Sequence, residues 1–365
     1  MIDHNFNIMC ILFDKCNLAC KFCFEANKTK TIDLNYIKNL PNIFFEQYNQ
    51  RCDKQDINVI EITMMGGEVF NDTLPDSIFQ IYQEVVHQTH HLFKQTQISV
   101  KFNWLSNGVF KKRDRIDQLL LNTNSTISFS YDCVGRFPSN VQKNMMLANV
   151  KYYSENKKLN AILITPTKLS IKQYIQGKSD IEYLRKYCKY LDLSYYIPGW
   201  NYQQLNPSDL DIFEFYKWII DNSIFEFKDI REMLKPFLDN YNPQMMIYKT
   251  CNCDQLVNVT PNGCTNICVK INSPLSLDRF YNKFTKNVNE HTITLYRSSL
   301  GKQKRGCNMC SWANVCVMPC WTAILFDDFE MTTCSLQKIY NYIRDNQALI
   351  LDCYKTYLQN NKSQI

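Results

Sequence analysis

Several common signatures are missing from this chain of 365 residues. No uninterrupted apolar run approaches the roughly 18 residues that a membrane-spanning helix needs, and the first ten residues lack the basic start and apolar core of a secretory signal. We therefore expect no membrane association and a cytoplasmic location. Positive charge is not concentrated either. The 41 Lys and Arg stand against 35 Asp and Glu, and short runs such as Lys111-Lys112-Arg113 read as solvated faces. Without a basic stripe interleaved with aromatics, a nucleic-acid partner is not expected. The five histidines show no spacing that converges with other metal ligands, and there is no internal repeat or low-complexity tract. With 45% hydrophobic and 21% charged residues, the composition is that of a globular protein, long enough for a full α/β core and a smaller second unit. Cysteine, by contrast, is abundant. Seventeen cysteines with no export signal argue for metal sites in a reducing compartment rather than for a disulfide framework.

Along the chain, the apolar run from Asn5 to Phe13 reads as a buried strand. A rhythm follows. Helical spacing over 32–50 leads to a strand at 58–65, helix 77–93 to strand 98–105, and helix 113–121 to strand 126–131. Helix 141–154 leads to strand 159–165, and helix 171–190 to strand 193–197. Six strands alternating with helices predict parallel βαβ units and an α/β fold of the partial (β/α)6, TIM-like barrel type, with chemistry on loops at the carboxyl ends of strands. Pro198-Gly199-Trp200 breaks the pattern. We expect a barrel domain at 1–198, a bridge of two helices at 199–250, a small Cys-rich domain at 251–334, and a C-terminal helix at 335–365.

The first chemical motif is Cys16-Asn17-Leu18-Ala19-Cys20-Lys21-Phe22-Cys23, directly after the first strand. Three thiols at C-x3-C-x2-C can converge on one centre. A cubane held by only three thiolates keeps one iron open for another ligand, because such clusters take thiolates in sets of four. A zinc knuckle lacking its fourth ligand is the plainer alternative. The spacing, with Phe22 just before the third cysteine, resembles the signature of the radical S-adenosylmethionine (SAM) superfamily. One βα unit later, Met65-Gly66-Gly67-Glu68 matches that superfamily's Gly-Gly-Glu motif, which implies that Glu68 accepts from the methionyl amino group of SAM while the glycines allow close approach. Ser106-Asn107-Gly108 after the third strand resembles the Thr-Asn-Gly-type segment. Ser130-Tyr131-Asp132 with Arg136 resembles a Ser-x-Asp-Gly segment followed by an arginine near the SAM ribose and carboxylate, although Cys133 stands in place of the glycine.

The second motif is Cys307-x2-Cys310-x5-Cys316-x3-Cys320, followed by Cys334. Upstream, Cys251 or Cys253 precedes Gly263, and Cys268 follows it. Together these resemble the seven-cysteine pattern of SPASM domains. The resemblance implies one auxiliary cluster on Cys251, Cys268 and Cys320, with Cys253 as fourth ligand and Cys264 its rival. It implies a second on Cys307, Cys310, Cys316 and Cys334. The same tetrathiolate sets could hold structural zinc.

Taken together, the resemblance implies SAM and three [4Fe–4S] clusters, one binding SAM and two auxiliary. It also implies reductive cleavage of SAM to a 5′-deoxyadenosyl radical that abstracts hydrogen from a peptide. The expected substrate is a ribosomally made precursor peptide receiving a side-chain crosslink. Sulfatase maturation is the alternative, disfavoured because the position after Cys268, acidic in those maturases, is Val269. Asp132 and Asp254 are the candidate catalytic acids. A non-catalytic iron–sulfur or zinc scaffold is the alternative of another class. Expected partners are the peptide and an electron donor such as a flavodoxin or ferredoxin; since fifteen residues precede Cys16, leader recognition is expected to need a separate leader-binding protein or a surface between the domains.

Overall fold

The structure, a computed structural model, describes residues 5–20, 22–23, 32–51, 54–194, 205–238, 256–265, 309–312, 315–316 and 334–361. The expected boundaries at 198 and 250 lie outside them. The fold is mixed α/β. Its sheet has eight strands in the order β6-β5-β4-β3-β2-β1-β7-β8.

The chain divides into two compact units, the first comprising Met1–Tyr131, Arg136–Ile162 and Asn252–Asp278. Here β1 (Asn5–Ile11), β2 (Val59–Met65), β3 (Ser99–Ser106) and β4 (Thr126–Tyr131) pair in parallel, each with the next. Helices α1 (Leu34–Asn49), α2 (Asp76–Phe93), α3 (Arg113–Asn122) and α4 (Asn140–Glu155) make the crossovers, and β5 begins at Leu159. Within about a residue or two, these are the expected elements. Local chemistry sets their ends: Asp33 caps α1 by accepting from Asn35 N and Tyr36 N, and Ser139 caps α4 through Gln142 N.

The apolar run from Asn5 to Phe13 was expected to be a buried strand. Instead burial alternates, with Phe6, Ile8 and Cys10, Ile60, Ile62 and Met64, and Phe102 and Trp104 packed out of water, while Asn7, Glu61, Thr63 and Asn103 on the other face are half-buried. The packed face meets Ile37, Leu40 and Phe44 of α1 and Tyr82 and Val86 of α2 in the same core. Each such side chain contributes about 1.5–3 kcal/mol of burial. Trp104 is the centre of an aromatic group, 4.9 Å from Tyr82 and 5.8 Å from Phe70 between ring centroids. A hairpin of β7 (Leu256–Thr260) and β8 (Gly263–Thr265) extends the sheet past β1, β7 parallel to β1 and antiparallel to β8. The sequence had shown this segment only as part of the Cys-rich region.

The second unit comprises Asp132–Gly135, Leu163–Cys251 and Arg279–Ile365. The single helix expected over 171–190 is two, α5 (Lys168–Ile175) and α6 (Ile181–Tyr187), because Gly177 between them sits at φ +66° and leaves the helical track. β6 (Leu191–Leu193) starts two residues earlier than expected. Helix α7 (Asp209–Asp221) is capped by Ser208, with Asp211 completing a capping box. Helix α8 (Lys228–Leu234) stops early and gives way to a tighter turn at Lys235–Phe237, where Pro236 has no N–H to donate.

The expected C-terminal helix is also two, α9 (Ser335–Asp345) and α10 (Gln347–Asn360). Asn346 breaks it: both its backbone N–H and its side-chain amide donate to Tyr342 O, at 3.1 and 2.9 Å. No helix of the described residues is long and apolar enough to cross a membrane.

Candidate functional site

The cysteine loop and the Gly-Gly-Glu segment leave neighbouring parallel strands, β1 and β2, and keep pairing past the strand ends. Leu12 N donates to Met65 O at 2.8 Å, Gly67 N to Phe13 O at 2.7 Å, and Glu68 N to Lys15 O at 2.8 Å. This explains both glycines. A Cβ at Gly67 would stand 2.1 Å from Lys15 O, and one at Gly66, whose φ is +153°, 2.3 Å from Phe13 O. The backbone brought so close is the chain's own. It delivers Cys16 one residue beyond the paired segment.

Glu68 is fully buried. Its Oε1 accepts from Ser106 Oγ at 2.7 Å and Phe70 N at 2.9 Å, and its Oε2 accepts from Asn107 N at 2.7 Å. Burial pushes this carboxyl up to about 7, opposed by those three hydrogen bonds and by the positive charge of Arg136. Glu68 therefore ties the end of β2 to the turn that follows β3.

That turn is fixed again from within. Val109 N donates to Asn107 Oδ1 at 2.8 Å, and Gly108 N to Ser106 Oγ at 3.0 Å, while Gly108 itself takes φ +76°. Asn149 of α4 clamps it further, donating to Gly108 O and Phe110 O. Because a backbone N–H faces Asn107 Oδ1, the amide nitrogen must point the other way, to Asn17 Oδ1 at 2.8 Å and Cys16 Sγ at 3.8 Å. Asn17 is oriented by the same logic, since its Nδ2 donates to Val109 O at 2.7 Å. Glu68, Asn107, Asn17 and Cys16 thus form one connected network. Neither Asn17 nor Asn149 was singled out from the sequence, because an asparagine beside a cysteine, or within a helix, carries no spacing signal.

Cys16, Cys20 and Cys23 are all half-buried on this loop. Leu18 N donates to Cys16 Sγ at 3.4 Å, the Cys20 thiol approaches Arg136 O at 3.9 Å, and Cys23 N donates to Cys20 O at 3.1 Å. Among the described residues, no three Cys, His, Asp or Glu side chains converge into a metal-ligating group, so the three thiols share the loop without pointing to a common centre. The donor set nevertheless fits an iron–sulfur cluster: three partly accessible thiols, with N–H donors turned to one sulfur. The Arg136 guanidinium lies 5.1 Å over the Phe22 ring, and its buried Nε has no hydrogen-bond partner. An anionic group beside the loop would satisfy it. Ser130 is half-buried on β4.

No family model and no curated protein matches the sequence. Solved structures do. The anaerobic sulfatase maturase anSMEcpe with bound AdoMet aligns at TM-score 0.62 and 12% identity, over 96% of this chain and 99% of its own. The same enzyme with bound AdoMet and the Cp18Cys peptide aligns at 0.59 and 12%, over 97% and 99%. SuiB of Streptococcus suis, bound to the precursor peptide SuiA, aligns at 0.54 and 14%, over 89% and 73%. The chain shares the fold of these radical SAM enzymes. At these identities the likeness is one of fold.

Of the expected radical SAM residues, Gly66, Gly67, Glu68, Ser106, Asn107 and Cys16 are thus brought together. Asp132 is completely buried, its Oδ1 accepting from Val134 N at 2.9 Å. In the SPASM region, Cys251, Cys253, Asp254, Cys268, Cys307 and Cys320 lie outside the described residues, as does Val269. Cys264 is exposed on β8, opposite Val259. Cys310 and Cys316 bracket a turn in which Val315 N donates to Trp312 O at 3.0 Å. Trp312 anchors that turn on α9, stacking 5.4 Å from Tyr340 and donating to Asn341 Oδ1, while Tyr340 OH donates to Val315 O. Cys334 is the residue that opens α9. Trp312, unnoticed in the sequence, therefore ties Cys310 and Cys316 to the helix that Cys334 begins.

Proposed function

We propose that this protein is a radical SAM enzyme of the SPASM type that modifies a peptide. The carrying observation is the network joining Glu68, Ser106, Asn107 and Asn17 to Cys16, at the ends of three successive parallel strands in a fold whose solved neighbours bind AdoMet. Cys16, Cys20 and Cys23 would hold a [4Fe–4S] cluster, and the two SPASM sets, Cys251, Cys253, Cys268 and Cys320 and Cys307, Cys310, Cys316 and Cys334, two more. When bound, cluster and SAM supply a 5′-deoxyadenosyl radical, with an electron from a donor such as a flavodoxin or ferredoxin. The chain's own residues do the holding. Arg136 offers Nε to an anionic group, Phe22 packs under the guanidinium, and Glu68 keeps a lone pair for an ammonium beyond its three present donors.

The substrate in this reading is a precursor peptide receiving a side-chain crosslink. The neighbour SuiB was solved with its precursor peptide, which supports a peptide substrate. A second reading, sulfatase maturation, is favoured by a different observation: anSMEcpe is matched over 99% of its chain and SuiB over 73%. The products separate them. Anaerobic incubation with SAM and dithionite should yield 5′-deoxyadenosine, and its absence from a protein loaded with clusters would overturn the enzymatic reading in favour of a scaffold. Coexpression with a small peptide, if one is encoded beside the gene, should lower that peptide's mass by about 2 Da, the loss of two hydrogens per new bond. An aldehyde trapped by hydrazide on a sulfatase-derived peptide, with the small peptide unchanged, would replace the first reading by the second.

A further inference from the structure

We infer that Asn107 is a positioning residue for the electron chemistry of the cysteine loop: its side-chain N–H is aimed at the Cys16 sulfur and sets how readily a cluster on that loop accepts an electron. The inference rests on the cluster reading of Cys16, Cys20 and Cys23 above. Every other group on Asn107 is already committed. Its backbone N–H is held by Glu68, its Oδ1 by Val109 N, and one amide hydrogen by Asn17 Oδ1. The second amide hydrogen faces Cys16 Sγ, at an N···S distance of 3.8 Å. The residue itself is only 6% exposed.

The three sulfurs of the loop are therefore not equivalent. Cys16 Sγ receives the Asn107 amide and Leu18 N, and Asn17 Oδ1 lies 4.0 Å from it. Cys20 Sγ instead faces a carbonyl, Arg136 O. Reduction adds negative charge that spreads onto the ligating sulfurs, so a donor at sulfur stabilises the reduced form and raises the potential. A carbonyl does not. Fixing the donor by three other bonds keeps it from reorienting when the charge changes, which makes its effect pre-organised. Glu68 then acts on the cluster through Asn107, whereas Asn17 both holds Asn107 and lies beside Cys16 itself.

The test uses the anaerobically reconstituted full chain. Iron, sulfide and the EPR signal that changes on adding SAM are recorded first, and a parent with no such signal would reject the cluster reading itself, apart from the inference. With the signal present, redox titration compares the parent with Asn107→Asp, which keeps Oδ1 for Val109 N but turns an acceptor to sulfur, and Asn107→Ser, which removes the donor without adding charge. Both should take up the electron less readily, Asn107→Asp by at least tenfold, about 59 mV for one electron. Equal potentials in parent and variants holding equal iron would overturn the inference. Pulsed EPR of the parent needs no variant: labelling the asparagine side-chain amides with 15N should change the nitrogen modulation of the SAM-responsive signal, and no change would also overturn it.

Discussion

The Glu68 carboxylate and the Asn107 backbone N–H meet at 2.7 Å in a fully buried position, joining the ends of two parallel strands 39 residues apart. A ligand-facing glutamate was expected at position 68. The same group is also the brace of the turn that aims Asn107 at Cys16, so substitutions there have two consequences, one on the fold and one on the ligand.

The fold consequence is pH-dependent. Burial raises the Glu68 carboxyl from its ordinary 4.5 to about 7, so between these values the folded chain holds a proton that the unfolded chain has lost. Its contribution to stability is therefore full below about 4.5 and lost as pH rises through about 7, by about 3 kcal/mol at most. Asp229, pushed up to about 7 by burial and the nearby Asp192, titrates in the same window, so the difference between parent and variant is the quantity to compare. Glu68→Gln should abolish that share of the slope in urea unfolding of the cluster-free protein. It should also cost about 1–3 kcal/mol, because its amide nitrogen faces a backbone N–H. Parallel stability profiles for parent and variant would reject this account.

Gly67→Ala should destabilise the chain by about 1–3 kcal/mol or more, since its Cβ would enter the Lys15 carbonyl, which is backbone and cannot swing aside. The damage should centre on the cysteine loop. Hydrogen exchange is expected to quicken at Glu68 N and Gly67 N, the donors to Lys15 O and Phe13 O, while the α2 core keeps its protection. Uniform loss of protection over the whole unit would count against a local role.

The alternation of strand and helix, and the spacing of Cys16, Cys20 and Cys23, were legible because both are periodic in the sequence. Gly66-Gly67 was legible as a motif but not in its cause. The contact it serves, with Phe13 and Lys15, is 52 or more residues away in sequence, and nothing local encodes it. Gly177 and Asn346 broke helices that apolar spacing alone had run together, since periodicity is blind to a single left-handed or back-bonding residue. The β7–β8 hairpin was hidden by its length: five and three residues carry too short a pattern to reveal pairing with β1. Asn17 and Trp312 have meaning only through partners distant in sequence.

Three [4Fe–4S] clusters are expected on full reconstitution, close to twelve iron and twelve sulfide per chain, at four of each per cluster. Replacing Cys16, Cys20 and Cys23 together by Ala should remove about a third of that iron and all production of 5′-deoxyadenosine. The iron left should reside on the SPASM cysteines. A parent that saturates near four iron would remove the auxiliary clusters, and a triple variant that still cleaves SAM at the parent rate would remove the loop assignment.

Arg136 offers the sharpest test of where SAM binds. Its Nε is buried without a partner, while its guanidinium rests 5.1 Å over Phe22, between two of the loop cysteines. A buried donor left unmade costs the fold about 1–3 kcal/mol, a cost that a bound carboxylate would offset. Arg136→Met keeps an apolar chain over Phe22 but removes charge and donors, so SAM affinity should fall roughly tenfold to hundredfold, the worth of one charged hydrogen bond. Arg136→Lys keeps the charge without the planar fork and should fall between parent and Met. The same Met substitution removes a positive charge that holds the Glu68 carboxyl down, so the pH at which SAM binding responds to Glu68 should move upward. Anaerobic equilibrium titration at several pH values, on proteins matched for iron content, reads both effects. Unchanged affinity in Arg136→Met would take Arg136 out of the SAM site and leave its buried Nε as a structural cost of the loop.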